Sequence, residues 1–248
     1  MDIRPAADET LDEFHRGQVR VIQSKKGFRF ALDAPLLADF TEIEDGDELL
    51  ELGTGNGIIP LLLGARPFRL LTALEIQAGP AALARRNIAL NGLRGRVRIV
   101  RTDFRSYRPG RRFDVVFSNP PYIKVRTGYL SPSGEKSIAK HELSCDLDEV
   151  MRAVSELLKP EGRGYLIYPA ARSGELRTAA AARGLGVRAS RLVLPRPAAP
   201  PAFILVRLGF GPGREKMRRA LALKTAAGAD SAEARRIYEG RVKAAAGR

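Results

Sequence analysis

The chain has 248 residues, 44% of them hydrophobic, which suffices for one substantial α/β domain with appendages. Its 42 Lys and Arg against 28 Asp and Glu leave a net charge of +14. That sign favours a polyanionic partner, nucleic acid first, although a coding bias toward Arg gives the same balance. A single cysteine, Cys145, and two histidines, His15 and His141, exclude a disulfide framework and speak against a zinc or iron cluster, so no metal is expected.

Residues 1–14 are polar and acidic and read as frayed or as a short cap. Val19–Ile22 and Gly27–Phe30 read as two short strands of a hairpin turning through Gln23 to Lys26. Asp33 suits the cap of a helix with Pro35 near its start and Leu36, Leu37 and Phe40 on one face. Glu44-Asp-Gly-Asp47 is a turn into the apolar run Glu48–Leu52, of strand length. Ile58 to Ala65 has the character of a buried helix, and Leu70 to Leu74 of a second core strand ending at Glu75. Ala81 to Leu90 is an alanine-rich helix stopped by Asn91-Gly92.

Val97 to Val100 reads as a strand that leads to Thr102-Asp103, and Phe113 to Ser118 as the next. Lys124 to Ser144 is a long polar loop of net charge +2 with no clear period, a length that is often functional. Its lysines and Arg126 suit phosphates or plain solvation, and His141 and Cys145 read as a loop residue and a packing residue. Leu147 to Leu158 has helical spacing and is stopped by Lys159-Pro-Glu-Gly162. Then come a strand, Gly164–Tyr168, a helix, Ser173–Arg183, and two strands, Val187–Leu194 and Ala202–Leu208. The remainder, Gly211–Arg248, carries ten basic and four acidic residues, a net of +6 by subtraction (10 − 4). Leu221, Leu223, Ile237 and Tyr238 are too sparse for a core face, so it reads as a partly helical, solvated basic tail with RNA contact as the alternative.

This alternation predicts an α/β, doubly wound, mostly parallel seven-stranded sheet with a short N-terminal hairpin and helix and a basic C-terminal extension. The expected division is 1–44, 45–210 and 211–248. No stretch reaches the roughly 18 apolar residues of a membrane span. The acidic N-terminus lacks the apolar core of a secretory signal, so a cytoplasmic location is expected.

The chemistry gathers at Glu51-Leu-Gly-Thr-Gly-Asn-Gly57 and Asn119-Pro-Pro-Tyr122. The first stretch joins a strand to a helix through glycines that let bare backbone approach a ligand. Its spacing departs from the dinucleotide pattern and it has no phosphate-binding lysine. Glu51 repels a pyrophosphate and suits a cation; S-adenosylmethionine carries a sulfonium and an ammonium. Glu75 can accept from both ribose hydroxyls and Asp103 from an adenine amino group. Three acids ending three successive strands on one edge argue for a single ligand.

Glu51 to Gly57, Glu75, Asp103 and Asn119 to Tyr122 resemble the four ordered motifs of class I S-adenosylmethionine-dependent methyltransferases, Rossmann-like enzymes. The Asn-Pro-Pro-Tyr form is typical of enzymes that methylate a planar amino or amide nitrogen. Over about residues 10–210 the chain is similar to the bacterial tRNA(Val) adenine-N6 methyltransferase family. Val21-Ile-Gln, Gly27 to Ala38, Gly53 to Pro60, Glu75-Ile-Gln77, Arg86 to Gly92 and Ala139 to Glu142 carry that similarity. It implies methyl transfer from S-adenosylmethionine to an adenine N6 beside the tRNA anticodon. Arg29 and Asp33 are implied near the methionine end of the cofactor. With Glu51, Gly53, Thr54, Gly55, Asn56, Gly57, Glu75, Ile76, Asp103, Phe104 and Asn119 they make the expected cofactor site.

Asn119 and the Pro120 carbonyl can accept the two N6 hydrogens, the prolines aim that carbonyl, and Tyr122 can stack on the base, so Asn119, Pro120, Pro121 and Tyr122 are the expected catalytic set. Three rivals remain. A protein glutamine-N5 methyltransferase acting on release factor fits the same tetrapeptide, but such enzymes carry a sizeable helical N-terminal domain and only about 48 residues precede the first core strand. An exocyclic amine of rRNA is a second, and a non-catalytic RNA-binding protein on this scaffold a third. Cofactor binding by calorimetry separates the last from the enzymes.

Overall fold

Leu49, Leu50, Glu51 and Leu52 are all buried, as expected of a central parallel strand covered on both faces. They belong to β3 (Glu48–Leu52), the middle of a nine-stranded sheet in a computed structural model that describes residues 4–25, 33–120 and 146–240. The other strands are β4 (Leu70–Glu75), β5 (Val97–Arg101), β6 (Phe113–Ser118), β7 (Leu158–Pro169), β8 (Leu185–Leu194) and β9 (Phe203–Phe210). Two-residue strands β10 (Lys216–Met217) and β11 (Leu221–Ala222) both pair with β8. The order is β10-β8-β9-β7-β6-β3-β4-β5, with β9 antiparallel to both neighbours and the other pairings parallel. The expected doubly wound, mostly parallel sheet is present, with nine strands among the described residues instead of seven because β10 and β11 add to β8.

The helices are α1 (Asp33–Phe40), α2 (Ile58–Leu63), α3 (Ala78–Leu90), α4 (Leu147–Leu157), α5 (Ser173–Ala182) and α6 (Ala232–Glu239). Period-two alternation sends Leu49, Val115, Phe117 and Ile167 to the face covered by α1, α2 and α3, and Leu50, Leu52, Val116 and Leu166 to the face covered by α4 and α5. The start of α4 is fixed by a capping box. Asp146 accepts from the Glu149 N–H at 2.8 Å, and the Glu149 side chain accepts from the Asp146 N–H at 3.1 Å.

Three expectations are corrected. From Glu9 on, the acidic segment expected to be frayed or a short cap is a strand: β1 (Glu9–Phe14) pairs antiparallel with β2 (Val19–Ser24), so the hairpin ends at Ser24. The expected strand Gly27–Phe30 lies outside the described residues. β7 begins at Leu158 rather than Gly164; its register on β6 jumps from Phe113↔Leu158 to Val115↔Arg163, so the Lys159–Gly162 turn is absorbed as a bulge.

The third concerns the tail. As far as Gly240 it folds onto the domain, since Leu221 and Ile237 are buried in the same core cluster as α1 and α2, with Leu223 and Tyr238 packed against it. Arg236 forms a two-pronged ion pair with Asp39 of α1 at 2.9 and 3.1 Å, and Arg218 pairs with Glu42. The few apolar residues suffice because they fill gaps in an existing core instead of building one. Residues 241–248 lie outside the described residues.

Candidate active site

The carboxyl ends of β3, β4, β5 and β6 share one edge of the sheet, and the chain reverses its direction of winding between β3 and β6. Ligands of open α/β sheets bind at such a switch point. The loop after β3 crosses it in left-handed backbone, with φ of 78° at Gly53, 58° at Gly55 and 85° at Gly57. A Cβ at Gly53 or Gly55 meets nothing within 4 Å, so the loop faces open space on the ligand side. A Cβ at Gly57 comes to 3.3 Å of the Ala84 Cβ, so there the glycine serves the approach of α3.

Three sets of bonds hold this loop. The N–H groups of Gly53 and Thr54 donate to the Leu74 carbonyl at 3.1 and 2.8 Å. The Gly55 N–H donates to one oxygen of Glu75 at 2.8 Å, and the Gln77 N–H to the other at 2.9 Å. Both oxygens of Glu75 already hold backbone, which leaves only their remaining lone pairs for the ribose hydroxyls it was expected to accept from. Burial raises its pKa, against the lowering pull of those backbone donors.

The third set was not anticipated. Asn87 of α3, fully buried, donates to the carbonyls of Ile22 and Asn56 and accepts from the Ile22 N–H. One turn on, Asn91 accepts from the Arg20 N–H and donates to the Arg20 carbonyl. Alternate residues of β2 thus find amide partners spaced i, i+4 on a helix, which closes the hairpin's open edge and ties it to the glycine loop. Gln23 continues the tie, bonding Asp12 and accepting from the Asn56 amide at 3.4 Å. An asparagine at i and i+4 in Arg86 to Gly92 was the available signal; the partner strand was not.

Glu51 is the unusual member. It is 1% exposed, and its Oε2 has no hydrogen-bond partner, nor has the buried Thr54 hydroxyl. Burial pushes its carboxyl up to about 8; the nearby Thr54 hydroxyl, outside hydrogen-bond geometry, opposes this, and the Glu75 charge adds to it. A buried carboxyl with an unpartnered oxygen is costly unless a cation or donor meets it. Together with the open glycine backbone it fits a ligand carrying positive charge beside a nucleoside, as S-adenosylmethionine does.

Asp103, expected to accept from an adenine amino group, already has a partner in the protein. Arg105 grips both its oxygens through Nε at 3.0 and 2.8 Å, and its own N–H donates to Oδ1 at 2.9 Å. That guanidinium holds the Asp103 carboxyl below its ordinary value. Asp103 therefore presents only what Arg105 leaves. Ile76, 38% exposed, and the half-buried Phe104 flank the two acids with apolar surface.

On the other side of the switch point, the Ser118 hydroxyl donates to the Leu52 carbonyl at 2.8 Å in the buried interior. This bond pins the end of β6 to the end of β3 and sets half-buried Asn119 and buried Pro120 beside the glycine loop. Asp33 opens α1, its Oδ1 accepting from the Ala34 N–H. Arg29, Pro121, Tyr122, the Lys124–Ser144 loop with His141, and Cys145 lie outside the described residues.

A strand order of this kind, with a glycine loop, strand-end acids and Asn119-Pro120 at the switch point, defines a class I methyltransferase domain. Residues 32–131 match the family model of the methyltransferase small domain. Among curated proteins, a tRNA1(Val) (adenine(37)-N6)-methyltransferase of Bacteroides fragilis is 30% identical over 200 residues, 79% of this chain and 84% of that protein. One from Bacteroides thetaiotaomicron is 29% identical over 79% of this chain and 83% of its own. Of solved structures, Agrobacterium tumefaciens Atu636, described as a predicted O-methyltransferase, superposes with TM-score 0.63 at 21% identity, covering 82% of this chain and 94% of its own. A methyltransferase of Pyrococcus furiosus gives 0.54 at 22%, covering 77% and 89%. Those two likenesses speak for the fold alone. The chain belongs to the tRNA1(Val) (adenine(37)-N6)-methyltransferase family.

Proposed function

We propose that this protein transfers a methyl group from S-adenosylmethionine to the N6 of an adenine in tRNA, beside the anticodon. Family membership supports the substrate. The observation that carries the chemistry is the Ser118–Leu52 bond, which sets Asn119-Pro120 against the glycine loop. When bound there, S-adenosylmethionine supplies a methyl group already activated on a sulfonium.

The chain's own residues then have two tasks. Glu51, Gly53, Thr54, Gly55, Asn56, Gly57, Glu75, Ile76, Asp103 and Phe104 bind and orient the cofactor, with Arg29 and Asp33 at its methionine end. Asn119 and the Pro120 carbonyl hold the base. The N6 lone pair of adenine is delocalised into the ring; accepting its two hydrogens favours a pyramidal nitrogen whose lone pair points at the methyl. Pro121 fixes the backbone and Tyr122 stacks on the extruded base, which costs little from a loop already partly unstacked. No base is needed before transfer. On this reading residues 1–44 and 211–240 support a catalytic unit of 45–210, in the cytoplasm.

No helix among the described residues is long and apolar enough to cross a membrane. The test is mass spectrometry of digested nucleosides after incubation with unmodified tRNA, wild type beside Tyr122→Ala. N6-methyladenosine is expected, with base capture lost in the variant and cofactor binding kept. Methyl found only on a glutamine of release factor, or only in rRNA, refutes the tRNA reading.

A further inference from the structure

We propose that the free edge of β5, with Arg85, Arg94 and Arg101 on its α3 side and Arg98 beside Val100 on the other, is a docking track for the phosphate backbone of tRNA; this rests on the tRNA reading above. β5 is the last strand of the sheet, and among the described residues nothing pairs with its outer edge. From Ile76 to Thr102 the chain has six arginines and no acid. Two of them are structural. Arg86 is held by Glu9 at 2.6 and 2.8 Å, and Arg96 donates to the carbonyls of Gly64, Arg66 and Phe68 while stacking on the Phe68 ring.

The other four, Arg85, Arg94, Arg98 and Arg101, are exposed and make no ion pair among the described residues. Arg16 and Arg111 on other faces pair with Glu239 and Glu48, whereas Arg196, Arg214 and Arg219 are exposed without an ion pair among the described residues; the four differ in lying on a stretch, Ile76 to Thr102, that has no acid. Arg85 and Arg94 line a shallow cleft floored by Ile88, Val97 and Ile99. Unpaired guanidinium forks match phosphate oxygens two at a time and are weakly hydrated, which suits this use.

The placement also fits. Arg101 closes β5 opposite Glu75, so the track starts at the cofactor edge and runs back along the strand for about 13 Å at ~3.3 Å per residue. β5 and β6 are three strand spacings apart, roughly 14 Å, so backbone flanking a base held at Asn119 can reach it. Edge-to-edge pairing of two copies through β5 brings the same arginines together and is disfavoured. Nucleic acid needs no compensating acids.

Replacing Arg85, Arg94, Arg98 and Arg101 together by Gln tests the track. The control replaces Arg196, Arg214, Lys216 and Arg219 by Gln, removing equal charge at the opposite end of the sheet. Fluorescence anisotropy with unmodified tRNA across a salt series is expected to show the first variant at least tenfold weaker at about 150 mM salt. Its slope of log affinity against log salt should flatten by about three, at ~0.7–0.9 per lost contact. Cofactor affinity by calorimetry and melting temperature should hold, and KM for tRNA should rise with little change in kcat. The control should keep the wild-type slope. Unchanged tRNA binding in the first variant, or equal loss in both, overturns the track. Wild type that binds tRNA with this slope yet leaves adenosine unmethylated refutes the function proposed above and leaves the track standing.

Discussion

Glu51→Gln should change how cofactor binding responds to pH. The wild-type carboxyl is 1% exposed, lacks a partner on Oε2, and is pushed up to about 8 by burial. At pH 7 only about one-tenth of the free protein then carries the charge that a cationic ligand selects. The apparent dissociation constant is the intrinsic one divided by that fraction. Raising the pH from 6 to 7 should tighten binding about tenfold, or ~1.4 kcal/mol, with nearly one proton released per cofactor bound. This window lies below the titration of the cofactor's own ammonium, roughly 7.7–8.0 for an α-amino group. The Gln variant should bind more weakly above pH 7, show no slope between 6 and 7, and release no proton.

Folding stability gives an independent sign. Between the ordinary value of 4.5 and about 8 the unfolded chain has lost a proton that the folded protein keeps. The contribution of this carboxyl is therefore whole below 4.5 and lost as pH rises to about 8. Glu51→Gln should remove that decline, raising the melting temperature of the cofactor-free protein at pH 8 more than at pH 5. Calorimetry in buffers of different ionisation enthalpy reads the proton release. Wild-type affinity that stays flat from pH 6 to 7, with no proton released, refutes the role of Glu51.

Asn119→Ala should weaken cofactor and tRNA binding by far less than it slows single-turnover methylation, roughly a hundredfold or more, because its contact strengthens as the nitrogen becomes pyramidal. A near wild-type rate contradicts the mechanism. Glu75→Ala leaves the Gly55 and Gln77 N–H groups and the ribose diol without acceptors, so cofactor affinity should fall by about 1–3 kcal/mol and the melting temperature with it; calorimetry showing no loss of affinity defeats the assignment. Ending the chain after Phe210 removes Leu221 and Ile237 from the core, at about 1.5–3 kcal/mol each, and should lower the melting temperature by many degrees. A truncated protein melting like the full chain places those residues outside the core.

Much of this was readable along the chain because it is local. β3, β6 and α1 begin and end where apolar runs, glycines and prolines say they should. A tight turn needs left-handed backbone wherever it lies, so the glycine loop announces itself. The Asp146–Glu149 capping box was equally local and was missed.

What lay beyond reach depends on which distant segments meet. No local pattern tells that Asn87 and Asn91 of α3 complete the edge of β2, 65 to 71 residues away. Nor does one reveal that Arg105 grips Asp103, or that Glu75, expected to accept from ribose hydroxyls, also accepts from the Gly55 and Gln77 N–H groups. The tail is the clearest case: Leu221 and Ile237 look too sparse for a core because a core face is normally recognised by its own periodicity. Only the sheet edge at β8 and the flank of α1 supply the rest of the surface that buries them. Sequence fixes what a segment can do with its neighbours along the chain; the free energy of burial is decided by neighbours in space.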